Sequence, residues 1–79
     1  GIEFTSSADR HGVAHDDVIH AIANADGEAS LSDGSVVWVG RPHPQTERRI
    51  EVIARLLPPR TILVFHAMEL SDKYRYLES

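Results

Sequence analysis

The chain has 79 residues and a formal net charge of −4, with 42% hydrophobic and 25% charged residues. This composition is typical of one small soluble globular domain and argues against an intrinsically disordered chain. The absence of cysteine excludes disulfide scaffolds and cysteine zinc sites, and it fits a cytoplasmic protein. The longest apolar run, residues 62–68, is too short for a membrane helix.

The negative charge is concentrated in the first half of the chain. Residues 1–39 contain seven acidic residues and one basic residue, whereas residues 40–79 contain five acidic and seven basic residues. The overall charge argues against nucleic acid as a partner. The second half nevertheless has a small positive surplus, which can attract an anion locally.

Two helical elements are predicted near the N-terminus. Hydroxyl residues at positions 5–7 are typical caps of a short helical turn, and Gly12 ends that turn. Residues 16–23 predict a helix, because Val18 and Ile22 fall on one stripe and two aspartates occupy the first turn. The first four residues precede these elements and are interpreted as a remnant of processing or cloning.

Strands follow the helix. Residues 36–39 form a β-branched and aromatic run after a turn at Gly34, residues 49–56 alternate between two faces, and residues 61–67 are apolar on both faces. Their short connections predict an antiparallel meander of three or four strands.

The last predicted element is a short C-terminal helix over residues 71–77, with Ser71 as its cap. The predicted fold class is therefore α+β, with a small antiparallel sheet packed with N-terminal helices and this short helix. A single domain spans residues 1–79.

The alternating strand has one charged face. Arg49, Glu51 and Arg55 lie opposite Ile50 and Val52, and we expect their face to be solvated. Two arginines beside a carboxylate can bind a phosphate and supply a base for a nearby hydroxyl. The alternative is cross-strand ion pairing on a solvated sheet face.

His66 interrupts an otherwise apolar strand, five residues before the start of the predicted C-terminal helix. A histidine at such a position is either a satisfied core residue or a proton-transfer group on a pocket wall. Lys73 can neutralise charge that develops on a phosphate, and Tyr74 and Tyr76 can stack a base. We expect Tyr76 to pack the helix onto the sheet.

Three further histidines, His11, His15 and His20, raise the question of a metal site. His11 and His15 are four residues apart, but Gly12 lies between them and no third ligand has a suitable spacing. The sequence therefore predicts no metal and no cofactor.

Three segments together resemble BrnT-like toxins of bacterial type II toxin–antitoxin systems. Residues 10–13, Arg-His-Gly-Val, precede an acidic helix start, as in the signature of that family. Residues 47–52, Glu-Arg-Arg-Ile-Glu-Val, are similar to its Gly-Arg-Leu-Leu-Glu-Val strand. Residues 66–68, His-Ala-Met, with Lys73 and Tyr74 beyond them, resemble the terminal strand and helix of an actinobacterial branch.

The resemblance implies a RelE-type ribonuclease fold and a metal-independent endoribonuclease that inhibits translation until a cognate antitoxin covers it. It also implies the RNA 2′-hydroxyl as the internal nucleophile. Together with the charged strand face, it assigns catalysis to His66, Glu51, Lys73 and Tyr74, and RNA binding to His11, Arg48, Arg49 and Arg55.

The chain departs from the family pattern at two positions. Ser71 stands where the branch has an arginine, and Glu47 stands where the strand motif has a glycine. The alternative function is therefore a catalytically inactive interaction module of the same fold, which binds an antitoxin or self-associates. Because the helix over residues 16–23 is acidic, we expect DNA contact only through an antitoxin. No membrane partner is expected, and homo-oligomer formation is left open.

Overall fold

One mixed five-stranded sheet organises the chain, and the structure, a computed structural model, describes all 79 residues. In chain order the elements are β1 (Ile2–Phe4), a 3₁₀ turn (Ser6–Asp9), α1 (His15–Ala23), β2 (Gly27–Ser30), β3 (Val36–Gly40), β4 (Ile50–Leu57), β5 (Thr61–Glu69) and a C-terminal 3₁₀ helix (Asp72–Leu77). The α+β class and the helix at residues 16–23 are confirmed. No helix has the length and apolar character needed to cross a bilayer.

The spatial order of the strands is β1-β5-β4-β3-β2. β2 to β5 form the predicted antiparallel meander. The prediction of three or four strands was too low, because β1 pairs in parallel with β5, Ile2 lying opposite Ile62 and Phe4 opposite Val64. The segment interpreted as a remnant thus contributes main-chain hydrogen bonds to the edge of the sheet.

Each face of the sheet has its own apolar cluster. On one face Val18 and Ala21 of α1 pack against Val52 and Val64. Gly40 permits this close approach, because a Cβ at that position would lie 2.6 Å from the carbonyl oxygen of Ala21. The sheet is therefore covered by α1 on this face.

The opposite face is covered by the C-terminal segment, and here the prediction about which tyrosine packs was wrong. Tyr74 is 6% exposed and packs on Val37 and Val39, whereas Tyr76, the tyrosine expected to pack, is 71% exposed. The predicted short helix is present as a 3₁₀ helix with Ser71 at its N-cap position, but the hydroxyl of Ser71 donates to Glu51 and makes no capping hydrogen bond.

The charged face of β4 is accordingly not solvated as predicted. Glu51 is 3% exposed and Arg49 is 9% exposed. Residue alternation assigned both correctly to the face opposite α1, but alternation carries no information about a later segment that covers this face. Only Arg55, nearer the β4–β5 hairpin, is exposed.

Candidate active site

A β-bulge in β5 determines where His66 points. The pairing of β4 with β5 runs from Ile53 opposite His66 directly to Ala54 opposite Val64, so Phe65 is an extra residue. Val64 and Ala67 are both fully buried in the cluster under α1. Counted from Val64, regular alternation would aim His66 at that cluster, whereas the bulge leaves His66 opposite Ile53, on the face that carries Glu51.

On that face His66 and Glu51 form a hydrogen-bonded pair. His66 Nε2 lies 2.8 Å from Oε2 of Glu51, and the side chains are 28% and 4% exposed. The other carboxylate oxygen, Oε1, accepts hydrogen bonds from the backbone N–H (2.8 Å) and the hydroxyl (2.6 Å) of Ser71. A buried carboxylate thus fixes the orientation of a partly exposed imidazole.

The environment of Glu51 keeps this carboxyl ionised. Burial alone would raise its pKa, but the hydrogen bonds from Ser71 and His66 outweigh burial and hold the pKa below its ordinary value of 4.5. Because an ionised carboxylate only accepts hydrogen bonds, Nε2 of His66 must carry a hydrogen. In the neutral ring Nδ1 is then the free proton acceptor.

A second imidazole lies beside the pair. The ring centroids of His11 and His66 are 5.9 Å apart, with the planes at 74°. His11 directly precedes Gly12, whose φ of 71° suits glycine and turns the chain towards α1. Two imidazoles and one ionised carboxylate therefore converge at this end of β5.

His11 also lines a cleft of about 270 Å³ to which Arg48 contributes. Arg48 Nε is 3.5 Å from Oε2 of Glu69, and both side chains are more than half exposed. Because exposed ion pairs are weak, the guanidinium of Arg48 remains available to an anion that enters this cleft.

The remaining predicted residues separate into two groups. Lys73 and Tyr74 line a different cleft, together with Phe65 and Ile53, and the guanidinium carbon of Arg55 lies 5.8 Å from the ring centroid of Phe65. Lys73 is thus grouped with Phe65 and Tyr74, and Tyr74 is mainly a packing residue. Arg49 belongs to neither cleft.

Arg49 forms a buried ion pair. It donates to the carboxylate of Asp26 and to the backbone carbonyls of Glu47 and Ser79, and the bond to Asp26 raises its pKa above the ordinary value. Its side chain is only 8% exposed. This placement does not fit the predicted contact with RNA and instead indicates that Arg49 ties the start of β4 to the loop before β2.

We expect Arg49→Ala to lower the free energy of unfolding by about 3 kcal/mol, because Asp26 is left as an unpaired, mostly buried carboxylate. Urea unfolding at pH 7 measures the change. Arg48→Ala is the matched control, since it removes a neighbouring exposed arginine and should change stability by less than about 0.5 kcal/mol. Equal stability of the two variants would contradict a structural role for Arg49.

Sequence reasoning missed two residues of this region. Ser71 was predicted only as a helix cap, and Phe65 was treated as one apolar residue of a buried strand. The sequence did draw attention to Ser71, because it stands where the resembling family has an arginine. The bulge that exposes Phe65, in contrast, has no recognisable sequence pattern.

The three histidines considered for a metal site are dispersed. His15 bonds Asp9 (2.6 Å) and stacks on Phe4, while His20 bonds the carbonyl oxygen of Arg41 (3.0 Å). His11 alone is beside His66. No group of three or more potential ligands is placed to hold a metal ion.

No family model matches this chain, and no curated protein or solved structure is significantly similar to it. The resemblance to BrnT-like toxins therefore depends on the three sequence motifs alone.

Proposed function

We propose that the chain is a metal-independent endoribonuclease, and that it acts as a toxin of a type II toxin–antitoxin system. The observation that carries the catalytic part is the contact between His66 and Glu51, with His11 beside it. Internal cleavage of RNA needs one group to accept a proton and one to donate a proton on opposite sides of a phosphate. Two imidazoles meet this need.

The proposed reaction assigns each group one role. Nδ1 of His66 accepts the proton of a ribose 2′-hydroxyl while that oxygen attacks the adjacent phosphorus. The bond between phosphorus and the 5′-oxygen breaks, and protonated His11 supplies the proton to the leaving oxygen. The products are a 2′,3′-cyclic phosphate and a 5′-hydroxyl end. Glu51 positions His66 and stabilises the imidazolium that forms.

Arg48 is the cation best placed to hold the phosphate, since it lines the same cleft as His11. Its guanidinium offers paired donors that suit phosphate oxygens, and it would exchange the exposed carboxylate of Glu69 for the substrate. RNA binding should therefore weaken steeply as salt rises.

The toxin context comes from the resemblance of the three motifs. In this context a cognate antitoxin covers the cleft that contains His11 and the face around His66, and translation is inhibited when it is removed. Any contact with DNA is made through that antitoxin.

The direct test uses purified protein and single-stranded RNA in buffer with EDTA. We expect cleavage that leaves 2′,3′-cyclic phosphate ends, and no cleavage of an oligonucleotide with 2′-deoxy sugars. His20→Ala, at a histidine that lines a different cleft, is the matched control and should retain full activity. Absence of cleavage, or cleavage that disappears with EDTA, contradicts the proposal.

The inactive interaction module remains the second candidate, and two observations favour it. Arg49 is committed to Asp26, and Ser71 occupies the place of a family arginine, so few cations remain for a phosphate. Expression in a bacterial host separates the candidates. Growth arrest by the natural chain but not by His66→Ala supports the toxin, and unaffected growth supports the module.

A further inference from the structure

A second cleft, of about 440 Å³, lies on the same sheet face as the His66–Glu51 pair. Its apolar part contains Phe65, Ile53 and Tyr74, and its rim contains Lys73 and Asp33. The geometry points to a nucleobase subsite for single-stranded RNA, in which a base stacks on Phe65. This inference rests on the proposed function and identifies where the substrate strand continues beyond the cleaved phosphate.

The bulge makes Phe65 an unusual aromatic residue. It places Phe65 and His66 side by side on one face, although consecutive residues of a regular strand point to opposite faces. Phe65 remains partly exposed, whereas the other phenylalanine, Phe4, stacks on His15. A partly exposed ring in an apolar recess is the kind of surface on which single-stranded bases stack.

Cations flank this recess on two sides. The guanidinium carbon of Arg55 lies 5.8 Å from the Phe65 ring centroid, and Nζ of Lys73 lies 5.4 Å from the Tyr74 ring centroid. Both side chains belong to exposed residues. A phosphate on either side of a stacked base would meet one of them, which is the arrangement of an electropositive groove with an aromatic platform.

Asp33 is the one carboxylate on the rim, and it does not close the recess. Its Oδ2 is 3.8 Å from Nη2 of Arg55, beyond hydrogen-bond distance, and the two side chains are 58% and 49% exposed. Its other oxygen, Oδ1, accepts hydrogen bonds from the hydroxyl and backbone N–H of Ser35. Arg55 donates from Nη1 to the backbone carbonyl of Asp33 (3.4 Å) and keeps its other donors for a phosphate.

The position of the subsite relative to the chemistry follows from chain adjacency. Phe65 directly precedes His66, and both lie on the same face. A base stacked on Phe65 therefore belongs to a nucleotide at or next to the phosphate that His66 would act on. The cleft with His11 and Arg48 is a separate one, so the two clefts together predict a binding path longer than one nucleotide.

The test measures binding rather than cleavage, with a short 2′-O-methyl oligonucleotide that cannot be cut. A fluorescent label reports the affinity by anisotropy. Phe65→Leu keeps an apolar side chain but removes the aromatic face, and we expect it to weaken binding about 5- to 150-fold, the range for loss of one stacked base. Tyr76→Leu is the matched control, because it removes an exposed aromatic ring elsewhere and should bind as the natural chain does.

Oligonucleotides that each lack one base test whether the loss of affinity is due to lost base stacking on Phe65. The same oligonucleotide is prepared with one base removed at each position in turn. At one position the natural chain should lose affinity to the level of Phe65→Leu, and Phe65→Leu should be insensitive to that removal. Urea unfolding of the variant verifies that it is folded before binding is compared.

The outcomes separate this inference from the proposed function. Natural affinity in Phe65→Leu, the same loss at every abasic position, or no binding by the natural chain overturns the subsite. Binding that depends on Phe65, together with failure to cleave ordinary RNA, supports the subsite and overturns the ribonuclease. Cleavage of RNA together with binding that is independent of Phe65 supports the ribonuclease and overturns the subsite.

Discussion

Replacement of His66 by alanine is expected to lower the turnover rate of RNA cleavage by about 10²- to 10⁴-fold, the usual contribution of a general base. The side chain is the only imidazole held by a buried carboxylate, and it is itself 28% exposed. Because Arg48 and the second cleft are untouched, KM should change much less than kcat. Steady-state cleavage of a fluorescent RNA measures both constants.

His66→Gln is the companion variant, since its amide can still donate to Glu51 but cannot accept and return a proton at neutral pH. We expect it to be as inactive as His66→Ala and closer to the natural chain in stability. Activity of either variant within about threefold of the natural chain would remove His66 from the reaction.

Much of the fold followed from local patterns. The stripe of Val18 and Ile22 predicted α1, and the alternation of Ile50, Val52 and Ala54 predicted which side of β4 joins the main core. These predictions succeeded because each depends on the period of one element and on a single apolar face. The meander succeeded because its connections are short.

The site was less predictable, because its geometry depends on contacts between distant segments. Glu51 was predicted as a catalytic residue on a solvated face, but it is buried and Oε1 accepts two hydrogen bonds from Ser71, which lies 20 residues later. The direction of His66 depends on an unpaired residue in β5, and such a bulge is determined by the pairing of two strands. Periodicity within one strand cannot show either feature.

The difference in burial between Arg49 and Arg55 also arises from contacts with distant segments. Both residues were predicted on a wet face with equal roles in RNA binding. Asp26, in a loop between α1 and β2, captures Arg49, whereas no element covers Arg55 at the hairpin end of β4. Two arginines with equivalent positions in the strand pattern therefore differ in role, because the fold places a buried carboxylate beside only one of them.

Glu51→Gln should lower kcat by about 10²- to 10⁴-fold although it changes the shape of the side chain very little. The ionised carboxylate accepts a hydrogen from Nε2 of His66, which leaves Nδ1 free. The glutamine oxygen will stay with the two donors of Ser71, so its amide N–H will point at Nε2 and force the hydrogen onto Nδ1. A wrong tautomer of this kind costs about 10⁴ in kcat in a serine protease triad.

The pH dependence of stability provides an independent readout of the same substitution. Because folding holds the pKa of Glu51 below its ordinary value of 4.5, ionised Glu51 stabilises the native state fully above that pH. This contribution is lost as pH falls through the lower, folded-state pKa. The free energy of unfolding of the natural chain should therefore exceed that of Glu51→Gln at neutral pH.

Below about pH 4.5 that difference should shrink, since the carboxyl of Glu51 then binds a proton in the unfolded chain before it does so in the folded chain. Glu51→Ala is the contrasting variant: it leaves both Ser71 donors and His66 without their acceptor and should cost about 3 kcal/mol. Urea unfolding across this pH range measures all three proteins. A stability difference that does not vary with pH would show that folding leaves the pKa of Glu51 unshifted, and full activity of Glu51→Gln would show that Glu51 does not position His66.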